Sequence, residues 1–455
     1  MRGKEGNLPV KGATMKSLST LLFTIFLWST AGAQVEESAC DKADTFWELG
    51  SDYNMYWNVE EEKRLPHQGQ FEVGGAKIHA VIRYTVDEQR SLHLSRKLAF
   101  PDLLPTTQFS PTFIGEGQPK IFTGEVEVSN APLATISIDG NITFIHQPVD
   151  GIVLERKLFA APHERLFVEY WEVKNLATIT RNLTFQKAAS CIQSFEGKER
   201  TYGVEVTSDV RPDITLEPNE MYRFAVYYAA KIDGEAPPVK DAEFAWMERV
   251  AFLQNIGEQA VLVTPEPAFN MAFELAKIKA AEKGLVKEVN DGTIQMMTDR
   301  IQYFSTWIRE QLISSLEAAL ILEGLHSDRS AEARSSLVDY TCQQLLGKGG
   351  PNLPQTFYTA RNAQGALYCQ LFTKGIWGIT QTDDYGVIRC RPKMPSGWKE
   401  MELQGLQLFG EKVNFRLRKS RRYRDMYYFY VVKDGLVIYR KRIQSGRSMR
   451  IRVAG

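Results

Sequence analysis

The chain has 455 residues, enough to bury a large core in two or three domains. Its 55 basic and 55 acidic side chains cancel, so overall charge points to no polyanionic partner; 11% aromatic and 24% charged residues exclude a disordered majority. Five widely spaced cysteines, Cys40, Cys191, Cys342, Cys369 and Cys390, exclude a dense disulfide scaffold and suggest no zinc site.

The first element has the form of an export signal. Lys11 and Lys16 precede an apolar run of 11 residues from Leu18 to Trp28, and Ala31, Gly32 and Ala33 form a small-residue cleavage site. At 1.5 Å per residue the run is too short for a hydrocarbon core of ~30 Å. Residues 1–33 are therefore expected to be a signal peptide, with Met15 an alternative start and Gln34 the first mature residue. The expected location is periplasmic or secreted, with no membrane span.

From residue 34 to 235 the pattern is β. Lys77–Thr85, Ser91–Leu98, Leu166–Val173, Asn182–Phe185 and Tyr222–Tyr228 read as strands. Asp139-Gly140 lies between two alternating runs in Ala134–Ile145, a hairpin signal. Many short alternating strands predict an antiparallel β-sandwich.

Pro237-Pro238 marks a break, and residues 236–264 read as a linker with one helix, capped by Asp241 and ended by Gly257. A second helix follows from Pro267, with Phe269, Ala272, Phe273, Ala276 and Ala280 at helical spacing. Further helices are expected over Asp299–Leu325, Ala331–Leu346 and Ala363–Ile376. From Asp383 to 455 the β-pattern returns, and Asp434-Gly435 predicts a type I′ hairpin between Tyr427–Lys433 and Leu436–Arg440.

Ile78–Val86 and Leu92–Pro101 resemble sandwich strands of the secreted bacterial six-hairpin glycosidases. Phe269–Glu282 resembles their opening barrel helix, Gly365–Ile379 their last one, and Arg391–Trp398 the start of their C-terminal β-domain. The superfamily includes maltose phosphorylases, α-L-fucosidases and α-L-rhamnosidases. The resemblance implies a multidomain β + α chain: an N-terminal antiparallel β-sandwich, an α/α toroid over residues 265–382 and a small C-terminal β-domain. A ring of twelve helices needs about 190 residues. Pro265–Thr382 offers 118, so the expected toroid is shortened and lacks its central hairpins. Apolar faces left uncovered in such a ring would be covered by self-association.

The function this implies is hydrolysis of glycosidic bonds, with a glycan or oligosaccharide as partner, no cofactor and no metal. The alternative is a non-catalytic carbohydrate-binding or structural remnant. Glycoside hydrolysis uses two carboxyl groups, ~6.5–9.5 Å apart when inverting. The candidate catalytic residues are Glu317 and Glu310, with Trp307 and Arg309 as candidate substrate contacts; a core tryptophan and glutamates on an ordinary helix surface suit the same residues somewhat better. Gln364 stands where active relatives are expected to carry an acid, and an amide cannot exchange protons in that role. Asp383 and Asp384 suit a solvated turn better than a calcium or substrate contact. The six histidines show no metal-ligand spacing.

From Glu411 to Gly455 there are 14 Lys or Arg against 3 acidic residues, densest from Lys419 to Arg424. In an exported protein this reads as a solvated strand face or a weak contact with acidic glycans, rather than a nucleic-acid site.

Overall fold

Period-two alternation in the N-terminal half builds a nine-stranded antiparallel sheet. Its order is Glu48–Leu49, Met55–Asn58, Leu133–Ile138, Ile142–His146, Ile152–Ala160, Leu166–Asn175, Met221–Ile232, Thr201–Ser208 and Cys191–Glu196. The structure is a computed structural model that describes residues 48–50, 54–59, 65–100, 110–197, 200–282, 286–288, 294–296, 369, 371–395, 397–423 and 425–454. All of these belong to one unit, Ala39–Gly455.

Two four-stranded sheets lie against one face of the large sheet. One is His67–Gly74, His79–Val86, Leu92–Ala99 and Thr112–Phe113; the other is Asp213–Leu216, Arg181–Gln186, Lys120–Thr123 and Val126–Glu127. Aromatic rings knit the layers: Tyr84 meets Phe144 at 6.0 Å, Phe113 meets Tyr228 at 5.4 Å and Phe185 meets Phe224 at 5.6 Å. Each such edge contact adds about 0.5–1.5 kcal/mol beyond the area it buries. The arrangement is sandwich-like and compatible with the alternation in the sequence.

Helix α1, Ala242–Gly257, covers part of the large sheet's other face. Asp241 caps it, Oδ1 accepting from the Phe244 N–H at 3.0 Å. Ala242, Ala245 and Trp246 pack on Phe159, Val168, Tyr170, Ala225, Tyr227 and Ala229. Strand Leu166–Asn175 is consequently buried on both faces over its first six residues, which are apolar or aromatic except for the ion-paired Glu169.

Helix α2, Pro267–Glu282, forms where its spacing predicts, but its setting does not match a barrel. The toroid expectation is overturned: among the described residues there are two α-helices against 27 strands. Residues Met271–Ala276 are all buried, so α2 is a core helix enclosed on nearly every side. Phe269 stacks edge-on to Phe372 at 5.8 Å and meets Trp398 at 5.9 Å, while Phe273 meets Phe372 at 5.7 Å. The apolar spacing showed that a helix would be buried; it carried no information about whether helices or strands would bury it. With the toroid goes the resemblance to six-hairpin glycosidases, and with it the argument for self-association through uncovered helical faces. The expected helices over 299–325 and 331–346 lie outside the described residues. Within Ala363–Ile376 the described part holds a π-helical turn, Leu371–Ile376.

Arg249 joins α1, α2 and the sandwich. Fully buried, it donates to the Gly74 carbonyl at 2.9 Å, the Gly140 carbonyl at 2.7 Å and Asn141 Oδ1 at 2.9 Å, and it pairs with the buried Glu282 at the end of α2. Gly140 lies in the hairpin turn marked by Asp139-Gly140, with φ +100°.

The C-terminal region forms a five-stranded antiparallel sheet ordered Val261–Val263, Glu400–Leu408, Glu411–Lys419, Met426–Lys433 and Leu436–Gln444. A small sheet of Thr380–Gln381, Val387–Cys390 and Met449–Arg452 accompanies it. The segment read as a linker thus supplies an edge strand. Asp434 and Gly435 have φ of +50° and +75° between paired Lys433 and Leu436, the geometry of the expected type I′ turn.

Candidate functional site

Strand alternation in the C-terminal sheet separates two chemistries. Leu403, Phe415, Leu417, Phe429 and Val431 are fully buried on one face. On the other, pairing aligns two rows across four strands: Glu400, Arg418, Tyr428 and Arg442 in one, Glu402, Arg416, Tyr430 and Arg440 in the next. Directly paired residues share a face, so acid, guanidinium, phenol and guanidinium follow one another twice.

The two halves of each row differ electrostatically. Arg416 pairs with Glu400 and, at 2.9 Å, with Glu402; Arg418 lies 3.8 Å from Glu400. The hydrogen bond to Glu400 pushes the Arg416 guanidinium further up in pKa. Gln404 Nε2 donates to Glu402 at 2.6 Å, so both carboxylates are engaged. Arg440 and Arg442 are exposed on the outermost strand of the sheet, and neither has an acidic partner among the described residues. Arg440 lies 5.6 Å and 5.5 Å from the Tyr428 and Tyr430 ring centres, and Arg442 lies 4.2 Å over the Tyr423 ring. The Tyr428 and Tyr430 rings are 6.4 Å apart and half-buried, forming a continuous aromatic strip.

A β-bulge sets this arrangement. Val432 pairs with Val437, but Val431 pairs with Tyr439, leaving Ile438 as the extra residue. Without the shift, Arg440 would sit opposite Phe429 on the core side. The bulge turns Arg440 and Arg442 to the tyrosine face and Lys441 away from it.

A second charged cluster lies inside the sandwich. Arg96 and Arg156 both engage Glu169, Arg156 Nη2 at 2.9 Å, and Tyr228 donates to Glu169 at 2.9 Å. With its amide oxygen turned inward, Gln118 accepts from both arginines, from Arg156 at 2.7 Å. Arg156 also lies 4.1 Å over the Trp171 ring. Burial opposes ionisation of Glu169, but the two guanidinium groups outweigh it and hold its carboxyl below the ordinary value. Burial likewise raises Tyr228 well above the ordinary phenol value. The cluster joins Arg96 of one layer to Arg156, Glu169 and Tyr228 of the other, while Arg156 Nε has no hydrogen-bond partner among the described residues.

Of the residues expected to form a site, Glu317, Glu310, Trp307, Arg309 and Gln364 lie outside the described residues. Asp383 and Asp384 sit in an exposed turn, with Asp384 paired to Arg450. No group of three or more His, Cys, Asp or Glu side chains suited to a metal occurs among the described residues. His79 pairs with Glu72 at 2.9 Å, and His146 Nδ1 lies 2.7 Å from the Ala131 carbonyl. Cys191, Cys369 and Cys390 are free thiols.

The sequence predicts a solvated strand face or a weak contact with acidic glycans over Glu411–Gly455, but not the tyrosine and arginine rows that share that face. Its signal was present as period-two spacing: Arg416 and Arg418, Tyr428 and Tyr430, Arg440 and Arg442. The chain matches no family model and no curated protein.

Proposed function

We propose that this is an exported, non-catalytic carbohydrate-binding protein whose C-terminal sheet carries the binding face. The observation that carries the reading is the Tyr428–Tyr430 strip, bordered on both sides by guanidinium groups in strand register. A pyranose ring has an apolar C–H face and a rim of hydroxyls. A half-exposed phenol offers the first a flat surface, and neighbouring N–H donors reach the second. Such sites combine aromatic area with a few placed polar groups. The signal-like N-terminus, from Lys16 to Ala33, supports an encounter with glycans outside the cytoplasm. Catalysis is not part of the proposal, because Glu400 and Glu402, the carboxylates of these two rows, are held by Arg416 and Arg418. Among the described residues no helix is long and apolar enough to cross a membrane.

The test is calorimetric titration of the full chain with a panel of polysaccharides, repeated on Tyr428→Ala and Tyr430→Ala. Removing either platform is expected to weaken binding roughly fivefold or more, the effect of losing about 1 kcal/mol at a contact hot spot. Binding that is unchanged in both variants, or absent from the wild type across the panel, overturns the reading.

A further inference from the structure

We infer that the ligand of this face is an anionic polysaccharide, one that carries carboxylate or sulfate groups along its chain. The inference rests on the carbohydrate-binding reading and adds the substrate class. It starts from an imbalance: on the inner half of each row the guanidinium charge is spent on Glu400 and Glu402, whereas Arg440 and Arg442 have no acidic partner among the described residues. Both are exposed, both stand beside a tyrosine, and both stay on that face only because the bulge at Ile438 turns them there. The charge continues around the strip: Arg421 and Arg422 lie in the loop before it, and Arg422 sits 5.7 Å from the Tyr423 ring.

Guanidinium forks bind carboxylate and sulfate oxygens through paired, charge-assisted N–H···O bonds, which neutral hydroxyls return more weakly. The aromatic strip gives the sugar rings a place to lie while the anionic groups reach Arg440 and Arg442. A flat, open, basic face also draws a polyanion by displacing its counterions, so affinity falls as salt rises. Single-stranded nucleic acid shares the charge but presents bases rather than C–H faces. The exported character expected from the N-terminus favours the polysaccharide.

The experiment titrates the full chain with dextran sulfate and polygalacturonate as anionic probes. Uncharged dextran and a single-stranded oligouridylate serve as comparisons, each at several salt concentrations. The expected result is binding to at least one anionic polysaccharide that exceeds dextran by tenfold or more at low salt. Arg440→Gln and Arg442→Gln should each weaken it roughly tenfold and lower the log–log salt slope by about one. Lys441→Gln removes the same charge from the opposite side of the same strand and should change affinity less than about twofold. That contrast separates a site from general attraction. Equal binding of dextran with no effect of the arginine variants overturns the inference while leaving the carbohydrate reading standing. An equal loss in Lys441→Gln, or tighter binding of oligouridylate than of either polyanion at matched salt, overturns it too. No binding to any polysaccharide removes both readings. Circular dichroism of the variants checks folding, which exposed and unpaired arginines are expected to leave unchanged.

Discussion

Glu169→Gln probes the charge balance of the sandwich core. Glu169 is fully buried and is engaged by Arg96 and Arg156, themselves almost wholly enclosed. The substitution keeps shape and one acceptor for Tyr228 but leaves the two guanidinium groups without the carboxylate they share. At an effective dielectric near 20, charges at ~4 Å interact by about 4 kcal/mol, so each lost attraction is large before relaxation. Breaking a buried pair by removing one partner costs about 3–5 kcal/mol, the range expected here. With a urea m-value of about 3 kcal/mol/M, the midpoint should fall by about 1–1.7 M. Trp171, stacked under Arg156, reports the transition by fluorescence. Arg156→Met in the same background should recover part of the loss, giving a coupling energy of about 1.5 kcal/mol or more. A loss below about 1 kcal/mol for Glu169→Gln, or strict additivity in the double variant, would refute the network.

Three further outcomes are expected. Burial, followed by the charge of Arg156, lowers the His146 pKa to about 4, against 6.5 ordinarily. The unfolded chain then binds a proton the native state refuses, so stability falls as pH drops from 6.5 through 4, by about 3 kcal/mol in all; His146→Asn should flatten that part of the pH–stability curve, and an identical curve counts against it. Arg249→Met takes the guanidinium away from buried Glu282 and from three acceptors, so it should cost about 3 kcal/mol or more in urea unfolding; a loss within experimental error would mean that α1 does not dock through Arg249. Asp241→Ala removes the N-cap of α1 and should cost about 1 kcal/mol, with Asp241→Asn close to neutral; equal losses in the two variants argue against the cap.

Local chemistry was legible in the chain. Alternation located strands such as His79–Val86 and Leu166–Asn175, Asp139-Gly140 and Asp434-Gly435 marked hairpins, and Asp241 marked the start of α1. These are effects of near neighbours: side-chain period, φ > 0 in a turn, one capped N–H. What surrounds an element was not legible. The spacing of Phe269, Ala272, Phe273 and Ala276 requires burial, and barrel helices or β-layers bury such a stripe equally well; only the tertiary structure placed Phe372 and Trp398 there. The binding face shows the same division. Arg440 and Arg442 alternate in the sequence whichever side they take, and one unpaired residue, Ile438, decides between core and tyrosine face. A bulge is a property of two strands in contact, since one strand gains a residue relative to the other, and so it is settled by tertiary structure rather than by the segment itself.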